Sequence, residues 1–355
     1  MIVYSKSSGL NNAAYGKIET PIKMIIEHES DLLTKKGGIA DWLFNIEKSN
    51  KFGETLVAQN EFDVFAATEE GGEFVQDTLK ETSRKFIEHV QYTKEFVITA
   101  EMMEDANFGV AADAKRRAEN FTRSYYKTMH KMCESALAGA LEKTTTFAGT
   151  TLDLTAPDGY PLFSVSHSYT NKAGTKIYQP NNFHGNIARI YNDDEGTFTY
   201  STSLFEEALS EASLKLRNMK DENGDPLGYT ADTIVIPGNN GRFEAVVKKV
   251  CGSEGALGNG YNDINLHYGN WNVIVLPGWA PEYCAAMIMS SEANKNLGGN
   301  MLFNRVPLTV NNWVDNHTGN YIWSGRCRFG IGFGSYKHIM LITDDETSAG
   351  ENLFA

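Results

Sequence analysis

The residue types able to do chemistry are present in this chain, but their spacing assembles none of the familiar reactive constellations. Asp221, Asn223, Asp225 and Asp232 fall on positions one, three, five and twelve of a calcium-binding EF-hand loop. Pro226 occupies the sixth position, where the sharp bend needs glycine, and position twelve is not the bidentate Glu. The run reads as a polar turn, and Asn192-Asp-Asp-Glu-Gly196 reads as another. Gly330-Ile-Gly-Phe-Gly334 has the look of a phosphate loop, yet a dinucleotide fingerprint needs GxGxxG between a strand and a helix. Here Ile331 and Phe333 alternate with the glycines and Ser335-Tyr-Lys continues in strand fashion. A glycine-lined strand approached by a helix is the expectation.

Eight histidines include no HExxH and no helical i, i+4 pair. His167, after Phe163-Ser-Val-Ser, and His184, after Asn181-Asn-Phe, are the candidate loop ligands, set against the commoner role of bonding to backbone. A Ser/His/Asp triad assembles in space, so sequence does not exclude one. There is, however, no GxSxG elbow and no catalytic-cysteine signature. Cys133, Cys251, Cys284 and Cys327 are scattered without a CxxC, as expected of buried free thiols in a reducing compartment. No catalytic, cofactor-binding or metal-ligating residue is assigned, and no cofactor is expected. Enzymes of this size ordinarily show some catalytic constellation, so its lack points to a structural role. The remaining enzyme reading is a soluble hydrolase with a site in the 158–167 loop.

A chain of 355 residues that is 41% hydrophobic can bury a substantial core, in one elaborated domain or two smaller ones. The net charge of −13 repels nucleic acid and anionic membrane in general, while leaving room for a local basic patch. The N-terminus lacks the charged start and apolar core of a signal peptide, and no apolar run approaches the ~18 residues of a membrane span. A soluble, non-secreted protein that does not contact membrane is expected.

The element around which the chain is organised is a single long helix over residues 106–143. Ala114, Ala118, Phe121, Tyr125, Met129, Met132, Ala136 and Ala140 recur in steps of three and four, the spacing of one helical face. Asp113, Lys115, Arg116, Glu119 and Lys127 cover the other face. At ~1.5 Å per residue such a helix spans roughly 50 Å, longer than a small domain is wide. Before it, 1–53 reads as an arm: a polar stretch, an amphipathic segment over 21–33, and a sticky apolar patch at Trp42-Leu43-Phe44. Residues 54–99 read as a long two-stranded excursion with a turn at Glu69-Glu70-Gly71-Gly72. Its return leg places Phe86, Val90, Tyr92, Phe96 and Ile98 on one parity. Its outer part has so little to bury that it is marginal alone and needs a neighbouring subunit. After the helix, 168–196 is loop-like, helices are expected over 201–219 and 240–250, and strands over 233–237, 271–276, 285–290, 305–310, 321–323, 326–333 and 337–343. The class is α+β, with distant strands returning to one sheet.

This order of parts resembles the HK97-like fold of tailed-phage major capsid proteins. Two stretches are similar to the Mu-like major head subunit group. One is Glu81-Thr-Ser-Arg-Lys running through Phe96-Val-Ile-Thr-Ala-Glu101-Met-Met-Glu-Asp105; the other is Asp158-Gly-Tyr-Pro-Leu-Phe-Ser-Val-Ser-His167, followed by Asn181-Asn182. With Thr233-Ile-Val-Ile-Pro237, the likeness covers roughly residues 60–340. It departs from the HK97 pattern in having no charged coiled-coil leader, so a fused scaffolding segment is not expected, and 252–264 does not align.

The resemblance implies an N-terminal arm (1–53), an E-loop hairpin with adjoining strands of the peripheral (P) domain (54–99), and a P domain (100–219) with spine helix 106–143 and the segment 144–200. It further implies an axial (A) domain (220–320), then return strands and a C-terminal tail (321–355). The implied function is mechanical. Copies of the chain, as pentamers and hexamers, close into an icosahedral shell around packaged double-stranded DNA that is enclosed without sequence-specific binding. Scaffolding, portal and decoration proteins are the further partners, and the place is the virion, after assembly in the host bacterial cytoplasm. HK97 cross-links an E-loop Lys to a neighbour's Asn, and Lys80 and Lys85 are the lysines positioned for such chemistry here, although most relatives rely on non-covalent contacts. An encapsulin-type shell, which shares the fold but encloses enzymes, is the alternative structural reading.

Overall fold

The computed structural model describes residues 3–4, 13–59, 65, 67–70, 72–74, 76, 81–104, 112–171, 174–192, 197–221, 223–253 and 265–344. The chain divides into two compact units. The first comprises Met1–Glu54, Ile87–Cys133 and Leu302–Ile331; the second comprises Thr55–Phe86, Glu134–Met301 and Gly332–Ala355.

The first unit is built on a sheet whose strand order is Val3–Tyr4, Asn300–Val314, Tyr321–Phe333, Val90–Ile98, with Asn45–Lys48 pairing beside Asn300–Val314. Tyr321–Phe333 and Val90–Ile98 run antiparallel, in a register that sets Trp323 opposite Phe96 and Gly325 opposite Lys94. Two helices cover one face, Ala13–Lys36 and the long helix Ala112–Ala138. The core is the meeting of all three layers: Ile22 and Ile26, then Ala114, Ala118 and Phe121, then Ile98, Leu308, Val310, Tyr321 and Trp323. Phe96 stacks on Trp323 with centroids 6.1 Å apart and tilts against Phe121 at 5.1 Å. Every apolar position read from the helical spacing is buried except Tyr125, which is half-buried. Ala114, Ala118 and Phe121 of the long helix pack on Ile98, Leu308, Val310, Tyr321 and Trp323 of the sheet.

The second unit holds a five-stranded mixed sheet in the order Asn182–His184, Ile339–Thr343, Ala285–Met289, Thr233–Pro237, Asn272–Leu276. Thr233–Pro237 and Ala285–Met289 are buried at every position, the mark of strands covered on both faces. The helices Thr202–Arg217 and Gly241–Gly252 pack their Phe205, Ala208, Leu209, Phe243 and Val247 onto this sheet. Each starts on a side-chain cap: Ser201 accepts from Leu204 N, and Asn240 accepts from Phe243 N. Asp344 ties the end of Ile339–Thr343 to the chain at 187–189. Its buried Oδ1 accepts from Ile187 N and Ala188 N, and Arg189 lies 3.8 Å from Oδ2. Burial pushes this carboxyl above its ordinary value, against the pull of those bonds and of Arg189.

Several expected boundaries move, each for a physical reason. The long helix ends at Ala138, not 143, and 105–111 lie outside the described residues. At Gly139 a side chain would meet Thr145 Cβ at 3.1 Å, and the β-branched Thr144-Thr145-Thr146 begins a two-stranded ribbon with Thr150–Asp153. The first helix runs through Pro21 instead of starting there. Burial of Ile22 and Ile26 offsets the ~3 kcal/mol that an interior proline costs. The return leg of the excursion is two strands, Glu81–Glu88 and Val90–Ile98, in different sheets. Parity slips between them: Ile87 is buried while Phe86 is exposed. His89 sits at the break, its Nδ1 donating to Phe52 O at 2.7 Å. The 168–196 stretch carries short strands at Ser168–Thr170, Lys176–Tyr178, Asn182–His184 and Arg189–Asn192. Strands of three or four residues leave no readable period.

Among the described glycines of the first unit, Gly325 leaves the least room for a side chain. A Cβ there would clash with the Phe121 ring and lie 3.0 Å from Leu308 Cδ1. Gly325→Ala is expected to lower stability by about 1–3 kcal/mol through overpacking. The same change in a Phe121→Leu background, where the clashing ring atom is gone, should cost less than the sum of the two single changes. Urea midpoints of the four-variant cycle measure this coupling.

Candidate assembly surfaces

The described residues singled out for chemistry are accounted for by structure; of the Asn192–Gly196 run, 193–196 lie outside the described residues. His167 is fully buried, its Nδ1 2.6 Å from Asp158 Oδ2 and its Nε2 3.0 Å from Leu162 O. The ring lies flat on Tyr336 with centroids 3.9 Å apart. Neither nitrogen faces a hydroxyl or thiol: Nε2 is engaged by the peptide oxygen of Leu162 and Nδ1 by Asp158. Asn181 completes this clamp by donating to Leu162 O at 2.8 Å. The 158–167 loop that carried the hydrolase reading is thus a closed hydrogen-bonded turn. His184 Nδ1 lies 2.7 Å from Thr343 Oγ1 at an exposed strand end.

A Ser–His pair does form in space between residues that no motif links. Ser210 Oγ lies 2.9 Å from His267 Nε2. The tautomer is wrong for catalysis, because Trp271 Nε1 donates to His267 Nδ1 at 3.2 Å and so leaves the proton on Nε2. Ser210 in turn donates to Glu206 O. Asp221 Oδ1 accepts from the backbone N–H of Asn223, Gly224 and Asp225, which makes the EF-hand-like run an Asx turn. Asp232 is engaged elsewhere, with Ser291 and Thr233. Among the described residues, no group of three or more His, Cys, Asp or Glu converges to hold a metal ion. The four cysteines are free and buried, and burial pushes the Cys251 thiol up to about 11.

Gly330-Ile-Gly-Phe-Gly334 is indeed strand, within Tyr321–Phe333 up to Phe333, but the expected helix is not what approaches it. A Cβ at Gly330 would meet His89 Cδ2 at 3.0 Å and Ile87 Cγ2 at 3.1 Å. The helix approaches at Gly325 instead. Lys85 is also not free for cross-linking. Its ammonium is buried and donates to the carbonyls of Asp153 and Thr155, with Asp153 Oδ1 at 3.5 Å. Burial lowers its pKa, against the opposing pull of Asp153. Lys80 lies outside the described residues. The Trp42-Leu43-Phe44 patch mostly turns inward, with Leu43 and Phe44 buried and only Trp42 exposed.

What the chain does present is apolar surface with nothing beneath it. Gly53–Gln59 and Glu81–Glu88 form a two-stranded ribbon. In the excursion between them Phe65 and Phe74 are fully exposed at 106% and 101%, beside exposed Glu69, Glu70 and Glu73. Fully exposed phenylalanines in this excursion mark a contact surface. Elsewhere in the same unit Leu266 is exposed at 79% and Tyr178 at 63%.

The model of the phage capsid protein family matches residues 82–341. The chain belongs to that family. The sheet, long helix and ribbon are those of the HK97-like capsid fold, and the protein is a major capsid shell protein of a bacteriophage. The chain is similar to the solved capsid of Cyanophage P-SCSP1u, at 9% identity, over 88% of this chain and 89% of that one, with a TM-score of 0.50. The capsid of Myoviridae phage XM1 matches at 13% identity over 87% and 92%, TM-score 0.49. The capsid of Ralstonia phage GP4 matches at 11% over 87% and 88%, TM-score 0.49. No curated protein sequence matches the chain. In this capsid protein the sequence motifs that carried the resemblance, the 158–167 loop and Asn181, turn out to be a buried clamp, which explains why they are recognisable without being reactive.

The buried histidines carry a pH prediction. His338 is fully buried, with Nε2 2.9 Å from Asn300 Oδ1, and burial takes it from 6.5 to about 3. Between those values the folded chain binds fewer protons there than the unfolded chain, so stability falls as pH drops through that window, by up to ~1.4 kcal/mol per pH unit. His130 and His267 are displaced in the same direction, burial being the largest cause. Thermal melts from about pH 7 down to about pH 4.5 should show a shallower loss for His338→Gln than for the unaltered chain.

Proposed function

We propose that this capsid protein closes, as pentamers and hexamers, into an icosahedral shell around packaged double-stranded DNA, acting mechanically and catalysing nothing. The family match over residues 82–341 carries the reading, and the exposed phenylalanines of the ribbon support it. In this reading residues 54–99 contain the E-loop that reaches over an adjacent subunit. Residues 100–219 are the P domain and 220–320 the A domain, whose loops gather at the symmetry axes. The arm is 1–53, and 321–355 returns to the P domain. Shell energy comes from many modest interfaces multiplied by valency. Scaffolding, portal and decoration proteins would act on this shell in the host cytoplasm, and the finished product is the virion.

Size exclusion and electron microscopy of the expressed chain test the reading. Megadalton particles or capsomers are expected. A monodisperse small oligomer would overturn it, and particles that carry an enzyme cargo in place of nucleic acid would favour an encapsulin-type shell. Phe65→Ser with Phe74→Ser is expected to abolish particles while changing chain stability by less than about 0.5 kcal/mol, because neither ring is buried within the chain. Particle yield and the thermal midpoint, measured side by side, separate these effects.

A further inference from the structure

An acidic chain carries one conspicuously basic face, formed where two helices of the first unit meet. The helix Ala112–Ala138 bears six Lys and Arg against three acidic residues, in a protein of net charge −13. Lys127 and Lys131 are exposed one turn apart, about 6 Å along the axis. The helix Ala13–Lys36 ends beside them with Lys35 and Lys36 in its last turn, both exposed. The junction is pinned by Thr34 Oγ1 to Tyr126 Oη at 2.8 Å and by Ala40 N to His130 Nδ1 at 3.3 Å.

The basic residues further along the long helix are already partnered. Arg123 pairs with Glu29 at 2.5 Å, Arg116 with Asp113 at 2.6 Å, and Lys115 with Glu119 at 3.9 Å. Lys35, Lys36, Lys127 and Lys131 form no ion pair among the described residues; Asp31 and Asp41, which flank Lys35 and Lys36, are exposed, and Glu134, one turn beyond Lys131, is buried and accepts from Gly278 N. The choice of occupant follows from charge. Leu32 and Trp42 are exposed near Lys35 and Lys36, but no large apolar side chain is exposed on the described part of the long helix that carries Lys127 and Lys131. A subunit contact draws on an apolar core, whereas a phosphate backbone takes amines. Four amines without an ion-pair partner among the described residues suit a polyanion.

We propose that the Lys35–Lys36–Lys127–Lys131 face contacts the phosphate backbone of duplex DNA, and that it is therefore the face this chain turns toward the genome. The inference rests on the reading that the shell encloses DNA. Four amines on a chain otherwise repelled by nucleic acid give a weak, salt-sensitive and sequence-independent contact, enough to orient the duplex without clamping it.

The test uses the full-length chain in its unassembled fraction and a duplex of about 30 base pairs, with binding followed by anisotropy across a salt series. Lys127→Gln with Lys131→Gln is expected to weaken binding roughly tenfold at low salt and to reduce the slope of log affinity against log salt by about two. Lys127→Arg with Lys131→Arg should keep both. Equal affinity and slope in the Gln variant overturns the inference, as does an unaltered chain that forms particles yet binds no duplex. A Gln variant that binds DNA normally but no longer forms particles overturns it in favour of a contact with a second copy. Absence of particles from the unaltered chain is the separate result that would sink the shell reading itself.

Discussion

The first unit depends on the approach of Phe121 to a strand that carries no side chain at position 325. A helix packed on a sheet normally stands off by the depth of two side-chain layers. At Gly325 one layer is missing, and the Phe121 ring occupies the space against Leu308, Phe96 and Trp323. That contact sets the distance of the helix from the sheet, because the ring occupies the place of a side chain at 325. Ala114 and Ala118 keep the preceding turns equally close, and the pairing of Ile22 and Ile26 with this layer brings in the first helix. A capsid protein gains from such rigidity, since an error of ångströms at one subunit is repeated in every copy of the shell.

Much of this was legible. The long helix announces itself because an apolar stripe repeated over seven turns has no other explanation, and the buried strands at 233–237 and 285–289 because continuous apolar runs bounded by turn residues do the same. The parts that were not legible share a cause: they are decided by tertiary contact. Pro21 looks like a helix start until Ile22 and Ile26 are seen to be buried. Phe86 looks like a core position until the strand breaks at His89, after which Ile87 takes the buried place. Trp42, Leu43 and Phe44 are equivalent as text, and only packing decides that two turn in and one turns out.

The reactive groups show the same divide. No spacing rule could bring Ser210 within 2.9 Å of His267, and none could show that Trp271 fixes the imidazole in the tautomer that cannot activate it. His167 is more instructive. A motif recognisable from the sequence marks a place where residue identity is strongly constrained, and chemistry is only one source of constraint. A buried imidazole between Asp158 and Leu162 O, stacked on Tyr336, is as demanding of its residue as an active site would be, and for reasons of stability alone.

The ribbon obeys the opposite logic. Phe65 and Phe74 add nothing to their own chain's core and expose the aggregation hazard that folded monomers normally bury. Such surface persists only where another molecule covers it, and Glu69, Glu70 and Glu73 beside the rings keep uncovered copies apart by charge repulsion. The net charge of −13 extends the same control to the whole subunit. Copies repel at long range, where screening over a Debye length of ~10 Å at moderate salt sets the reach, and attract only when the apolar contacts close. Association is then slow to start and strongly favoured once many contacts form together, which suits a shell that must close completely and not stop at fragments.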